Sequence, residues 1–539
     1  MRWIHGLLAI TGIFSLCFVL HVGSDRRPPS SVVHAARRPA QLGKINFPTS
    51  CSTEAQPMMQ KGVALLHSFQ YQQSEQAFLD AAQQDPHCAI AYWGKAMALY
   101  HQLWDFPAQH TLREGREDLE QAEKIQGTTE REGEYISAAA AFYQDDSESS
   151  HEARAQAYSV AMEKVYRDNP KDIDAAAFYG LSLVALAEYN DHDLADREKA
   201  LAILGPLLVA DPDHPGVAHY IIHASDTPEL ASKGLEAARM YARIAPDSSH
   251  ALHMPAHIFT RLGLWQESIG SNIAAMAAAA KDTQMHMADA HYETHAMDFL
   301  DYAYLQSGQE AKAQDLVNAL KAVPGAGART IENMQAVFEA RNALELHHWK
   351  EAASLTVRDI PLRDLRMTYW VKAMGAARSG DADGARKDIQ KLIEAGDASH
   401  KHEKDMGNKI YPGESTEQRE AEAWLNYAEG KPREAVKIIR QAAEREESEH
   451  LDSLTMPARE MLADLLVELK EPPEALTEYQ ASLKLSPNRF DSLYGAAKAA
   501  ESAGRPEEAR DYFARLARIA APGADRPELK EMKVNMATK

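Results

Sequence analysis

An all-α solenoid of antiparallel helix pairs is the fold this 539-residue chain predicts. Three observations carry the expectation. Alanine-rich text with few β-branched runs favours helix almost throughout. Prolines and small residues recur at a spacing of 34, as at Pro212 and Pro246 or Ala475 and Ala509. Glycine stands five residues before several of the small positions, where a helix must end. At roughly 100–200 residues per domain, the length suits three or four domains or one long array, and the recurrence selects the array.

The N-terminus is set apart from the fold. After Arg2, the run Leu7 to Leu20 is apolar and fourteen residues long, which fits a secretory segment and falls short of the roughly 20 residues of a spanning helix. Residues 1–35 therefore read as a signal peptide or an N-terminal anchor, with small residues near Ala35 suited to cleavage. Residues 36–49 read as a linker. An exported chain, in a periplasm or outside the cell, is the expectation, with no membrane span unless the first segment stays uncleaved. Cys51 and Cys88 then flank one helical hairpin. They read either as a disulfide suited to an oxidising compartment or as two separate buried thiols.

The repeat unit runs through residues 50–522, which divide into N-terminal hairpins (50–130), a central stretch (131–310) and a C-terminal stretch (311–522), followed by a tail (523–539). The small positions are Ala200, Gly234, Ser268, Ala313, Ala353, Ala385, Ala435, Ala475 and Ala509, and the glycines are Gly263, Gly308, Gly380, Gly430 and Gly504. Gly62, Ser74, Phe78, Ala81 and Pro86 repeat the spacing near the start. Small residues allow close helix approach, glycine closes the first helix, and proline starts the next unit. In these residues the chain resembles the tetratricopeptide repeat (TPR) family, and exported bacterial members most generally, with inserts at 187–199, 283–293 and 396–416. The resemblance implies a right-handed superhelix of about a dozen pairs. It also implies a concave surface lined by the first helix of each pair, which binds a protein or peptide.

Charge narrows the partners. With 58 Lys+Arg against 79 Asp+Glu, the net charge of −21 argues against nucleic acid, since nothing here would release phosphate counterions.

The histidines carry the functional signal. Nine of 23 lie in residues 214–295, more than twice an even share. Counted from the prolines and glycines, the groove-lining positions of three successive first helices hold His219 and His223, then His250, His253 and His257, then His295, with His291 one turn before it. Spacings of three and four place each set on one helix face. Imidazoles at i and i+4 chelate Zn, Cu, Fe or Ni. Asp226, Asp298 and Glu293 supply carboxylates that orient a ring, although Glu293 faces away from His291 and His295. Tyr302 falls in the same groove. Arg261, one turn after His257, holds an anion or pairs with a neighbouring acid. Met254-Pro255 should break the helix between His253 and His257. Thr227-Pro228-Glu229 reads as a helix start, and Trp104 to Pro107 as a loop closing one end of the array.

The functional expectation is a binding scaffold whose central groove carries a histidine-lined transition-metal or small-ligand site. A peptide-binding adaptor without metal is the alternative. The remaining one is a metal-dependent hydrolase or oxidoreductase. His291-Tyr-Glu-Thr-His295 does not match the zinc-protease pattern, and the chain past residue 35 holds no nucleophile elbow, phosphate loop or paired-cysteine motif.

Overall fold

The computed structural model describes residues 40–104, 106–144, 150–190, 194–284, 290–405, 415–448 and 454–537. The apolar run of residues 7–20, the first four residues of the expected linker and the middle of each expected insert lie outside the described residues. Among those described there are 26 α-helices, one short 3-10 helix and no strand. Consecutive helices pack as antiparallel pairs, such as Gln56–His67 on Tyr71–Gln84 and Phe490–Ser502 on Pro506–Ile519. The all-α solenoid is what forms.

The repeat register holds in detail. Ala200, Ser268, Ala313, Ala385, Ala435 and Ala475 are fully buried. Gly263, Gly308, Gly380, Gly430 and Gly504 all take positive φ, between 64° and 84°. That left-handed conformation ends a helix at no steric cost only for glycine. At Gly234 a Cβ would stand 2.0 Å from the Ser225 hydroxyl, so the close helix approach there needs the missing side chain.

Several expectations change at the edges. From residue 41 the expected linker is docked: Gln41 N–H donates to Asp247 Oδ2 and Phe47 is fully buried between Trp93 and Tyr135. Cys51 and Cys88 are disulfide-bonded, with Cα atoms 4.6 Å apart. The helix expected at Thr227-Pro228 starts later, at Ala231, with Thr227 Oγ1 capping the turn before it. The expected tail contains a helix, Glu528–Ala537, whose Leu529 and Met532 are buried.

The larger correction concerns the concave surface. Both ends of the array fold back on its middle, so contacts reach well beyond neighbouring repeats. The Gln56–His67 helix packs on Pro215–Ala224, and Tyr292 donates to the Phe69 carbonyl at 2.7 Å. Trp265 Nε1 donates to the Asn488 carbonyl at 2.8 Å, and Phe490–Ser502 packs on His291–Gln306. The central inner helices are therefore interior, not the floor of an open groove.

Candidate metal centre

Three successive inner elements carry the histidines. Pro215–Ala224 brings His219 and His223, one turn apart. The next is broken, as its proline requires, into Ser249–His253 and Pro255–Arg261, so His250 and His253 sit on one piece and His257 on the other. His291–Gln306 brings His291 and His295. Six imidazoles form two groups whose ring nitrogens lie within 4.8 Å of one another: His219, His223 and His250, then His253, His257 and His295. His291 does not join them. It is exposed and stacks on His295 at 5.7 Å.

Hydrogen bonds fix which nitrogen of several rings carries the proton. His219 Nδ1 lies 2.6 Å from the His67 carbonyl oxygen, which can only accept, so the proton is on Nδ1 and Nε2 presents a lone pair. His223 Nε2 and His250 Nε2 approach that lone pair at 3.1 and 3.0 Å. One in-plane lone pair cannot satisfy two ring N–H groups.

The second group is more constrained. His257 Nδ1 donates to Asp226 Oδ2 at 2.8 Å. His253 Nδ1 donates to Asn272 Oδ1 at 2.7 Å, and that amide is oriented by its own Nδ2, which donates to the Ser268 carbonyl. Both Nε2 atoms are therefore lone pairs, and they face each other at 3.0 Å. Two acceptors at that separation repel unless a cation lies between them. Ligand nitrogens around one tetrahedral ion stand about 3.3 Å apart when each is 2.0–2.1 Å from the metal.

Burial first, and then neighbouring imidazoles, lower the pKa of His219, His223, His250 and His253 well below the ordinary value. The same causes push His295 down to about 3. Neutral rings are what a metal needs.

Asp226 sits at the end of the Pro215–Ala224 helix. Arg261 Nε donates to its Oδ1 at 2.9 Å, and Arg261 Nη2 donates to its backbone carbonyl. Burial pushes the Asp226 carboxyl up, but Arg261 and His257 outweigh it and hold the group below the usual carboxylate range. Arg261 thus pairs with an acid, the second of its two expected roles. Asp298 is held by Arg341 Nη2 at 2.7 Å. Tyr302 departs from the expected groove altogether: its hydroxyl accepts from Arg489 Nη1 at 2.8 Å in a separate buried network. Glu293 is buried and burial raises its pKa.

A third cluster, His67, Asp174 and His214, differs in kind. Asp174 Oδ1 accepts from His67 Nε2 at 2.9 Å and from His214 Nε2 at 3.2 Å. The other nitrogens accept, from Tyr220 and from the Val217 N–H. All four ring nitrogens of the two histidines are thus used, and His67 is held with its carbonyl against His219.

Sequence reasoning missed His67, Asn272 and Phe69. Phe69 occupies the position five residues before Ser74, where other repeats place glycine, and it takes φ 52°. That backbone costs a bulky residue roughly 1–2 kcal/mol. Its buried ring covers His219 at 4.4 Å and His223 and His250 at 5.5 Å. Trp104 lies over Phe69, His223 and His250, half exposed, so this residue of the expected closing loop covers histidines instead. The phenylalanine in a glycine position was the readable signal.

The family model described as tetratricopeptide repeat matches residues 60–102 and 460–525. The chain thus carries TPR segments in its N-terminal and C-terminal parts, within a solenoid of the same type. No curated protein sequence matches it. Among solved structures it is similar to a monomeric mutant of IFIT1 with Gppp-AAAA, at 14% identity and a TM-score of 0.38, covering 87% of this chain and 98% of that one. It is also similar to the human IFIT1 dimer with m7Gppp-AAAA, at 14% identity and the same TM-score, covering 85% and 95%. Such a likeness carries nothing over to this chain's ligand. No described helix is long and apolar enough to cross a membrane.

Proposed function

We propose that this TPR-like scaffold holds a transition-metal centre on the histidines of its central inner helices. The observation that carries the reading is the pair of lone pairs on His253 Nε2 and His257 Nε2, facing each other at 3.0 Å with both Nδ1 protons committed elsewhere. Rings tethered through Nδ1 to a carbonyl, an amide and a carboxylate are what support imidazole ligation through the other nitrogen. Asp226, Asn272 and the His67 carbonyl are the tethers. The ligands are His219, His223, His250, His253, His257 and His295, and Phe69 and Trp104 of the N-terminal hairpins cover the first three.

The protein is exported in this reading, which the apolar run of residues 7–20 and the Cys51–Cys88 bridge support. A small ligand reaching the metal is favoured over a peptide laid along the inner helices, because His219, His250 and His253 are nearly inaccessible.

The test is elemental analysis of the purified chain with and without the double substitution His253→Ala and His257→Ala. Stoichiometric zinc, copper, nickel or iron in the parent, reduced in the variant, is the expected result. A metal-free parent that takes up none of these ions on dialysis contradicts it.

A further inference from the structure

The six imidazoles converge on two points, not one. In the first group, ring centroids are 4.8 Å apart for His219 and His223 and 4.9 Å for His219 and His250. In the second they are 4.5 Å apart for His253 and His295 and 5.0 Å for His253 and His257. Across the seam, His223 faces His257 at 6.4 Å and His250 faces His253 at 6.5 Å, ring against ring. The helix break at Met254-Pro255 lets one short stretch of chain serve both groups.

We infer that the chain holds a dinuclear copper centre, one ion on His219, His223 and His250 and the other on His253, His257 and His295. This rests on the metal reading above and adds the number of ions, their adjacency and their identity.

The donor set argues for copper. Each group is three imidazoles and contains no carboxylate, which disfavours magnesium, calcium and manganese and lacks the carboxylate of the two-histidine iron sites. Asp226, the nearest acid, is occupied by His257 Nδ1 and Arg261. Imidazole sites bind copper most tightly of the divalent first-row ions. Three protein ligands per ion leave a coordination position open on each. Two cations held by neutral ligands in a buried site need a compensating anion, and hydroxide bridging the two open positions supplies it.

The experiment titrates the metal-free full chain with copper(II), measuring bound copper by elemental analysis and unpaired spin by electron paramagnetic resonance. Two ions per chain with little or no spin signal are expected, because a shared bridge couples the two spins. His223→Ala and His257→Ala should each lower the count to one and bring up the full signal of a single copper(II). The parent's count and spin need no variant, so a variant that fails to fold leaves the test intact. One ion per chain, or two that both give full spin intensity, overturns the pairing while the metal reading stands. No bound copper at all overturns the copper centre, and the metal reading falls with it only if zinc, nickel and iron also fail to bind.

Discussion

The central and C-terminal stretches of the array bury polar side chains on equivalent inner helices, yet they balance them in opposite ways. In the C-terminal stretch Arg489, fully buried, donates to Glu345 Oε2 at 2.8 Å and to Glu460 Oε1 at 2.6 Å. It also reaches Tyr302 and the Thr455 carbonyl. One guanidinium is shared by two carboxylates, which also accept from Gln306 Nε2 and Ser492 Oγ, so the network calls for no ion from outside. In the centre, neutral rings bring lone pairs to shared points with no counter-charge between them. The same repeat thus builds a closed network that fixes the fold and an open one that calls for a cation.

The largest effect should come from breaking the closed network. Arg489→Met leaves Glu345 and Glu460 buried without their partner and should cost about 3–5 kcal/mol in urea unfolding, with metal content per folded chain unchanged. Chelation should act on the other region. Metal removal is expected to lower the unfolding free energy of the parent by about 3–4 kcal/mol, the linkage expected when metal stands at several hundred to a thousand times its dissociation constant. The His253→Ala, His257→Ala variant should show a smaller response.

Substituting a tether tests the orientation of the rings more gently. Asn272→Ala should weaken metal binding 10- to 100-fold, about 1.4–2.7 kcal/mol, by competition against a chelator of known affinity. Unchanged affinity would mean that the His253 ring is fixed by packing alone.

The buried histidines of the centre and the raised carboxyls of the C-terminal stretch should also respond to pH with opposite signs in the metal-free protein. His219, His223, His250 and His253 have folded pKa values below their unfolded value, and His295 lies near 3. Their stability contribution is full above about pH 6.5 and is lost as pH falls. Burial raises Asp464 to about 6 and Glu446 to about 7, so those carboxyls favour the fold below their unfolded values and lose that contribution as pH rises through the folded ones. Each proton taken up or released changes stability by about 1.4 kcal/mol per pH unit. Between pH 4.5 and 6.5 stability should therefore rise less steeply with pH in a His253→Ala variant than in the parent.

Much of the fold was legible because its determinants are local. Gly263, Gly308 and Gly380 end helices through their own φ, and Ala313 or Ala475 marks a close approach by its own size. The histidine faces followed from that register. What was not legible depended on long-range closure. Tyr302 meets Arg489 across 187 residues, and His219 meets the His67 carbonyl across 152. Helical periodicity places a residue on a face but cannot say which distant element covers that face. The N-terminal hairpins therefore turned an expected groove into an interior.

The most direct measurement is anomalous diffraction at the metal's absorption edge from crystals of the loaded full chain. The account predicts a peak about 2.0–2.1 Å from His253 Nε2 and His257 Nε2 alike. Ordered density showing those two nitrogens hydrogen-bonded to water, with no anomalous peak within reach of either, would contradict it.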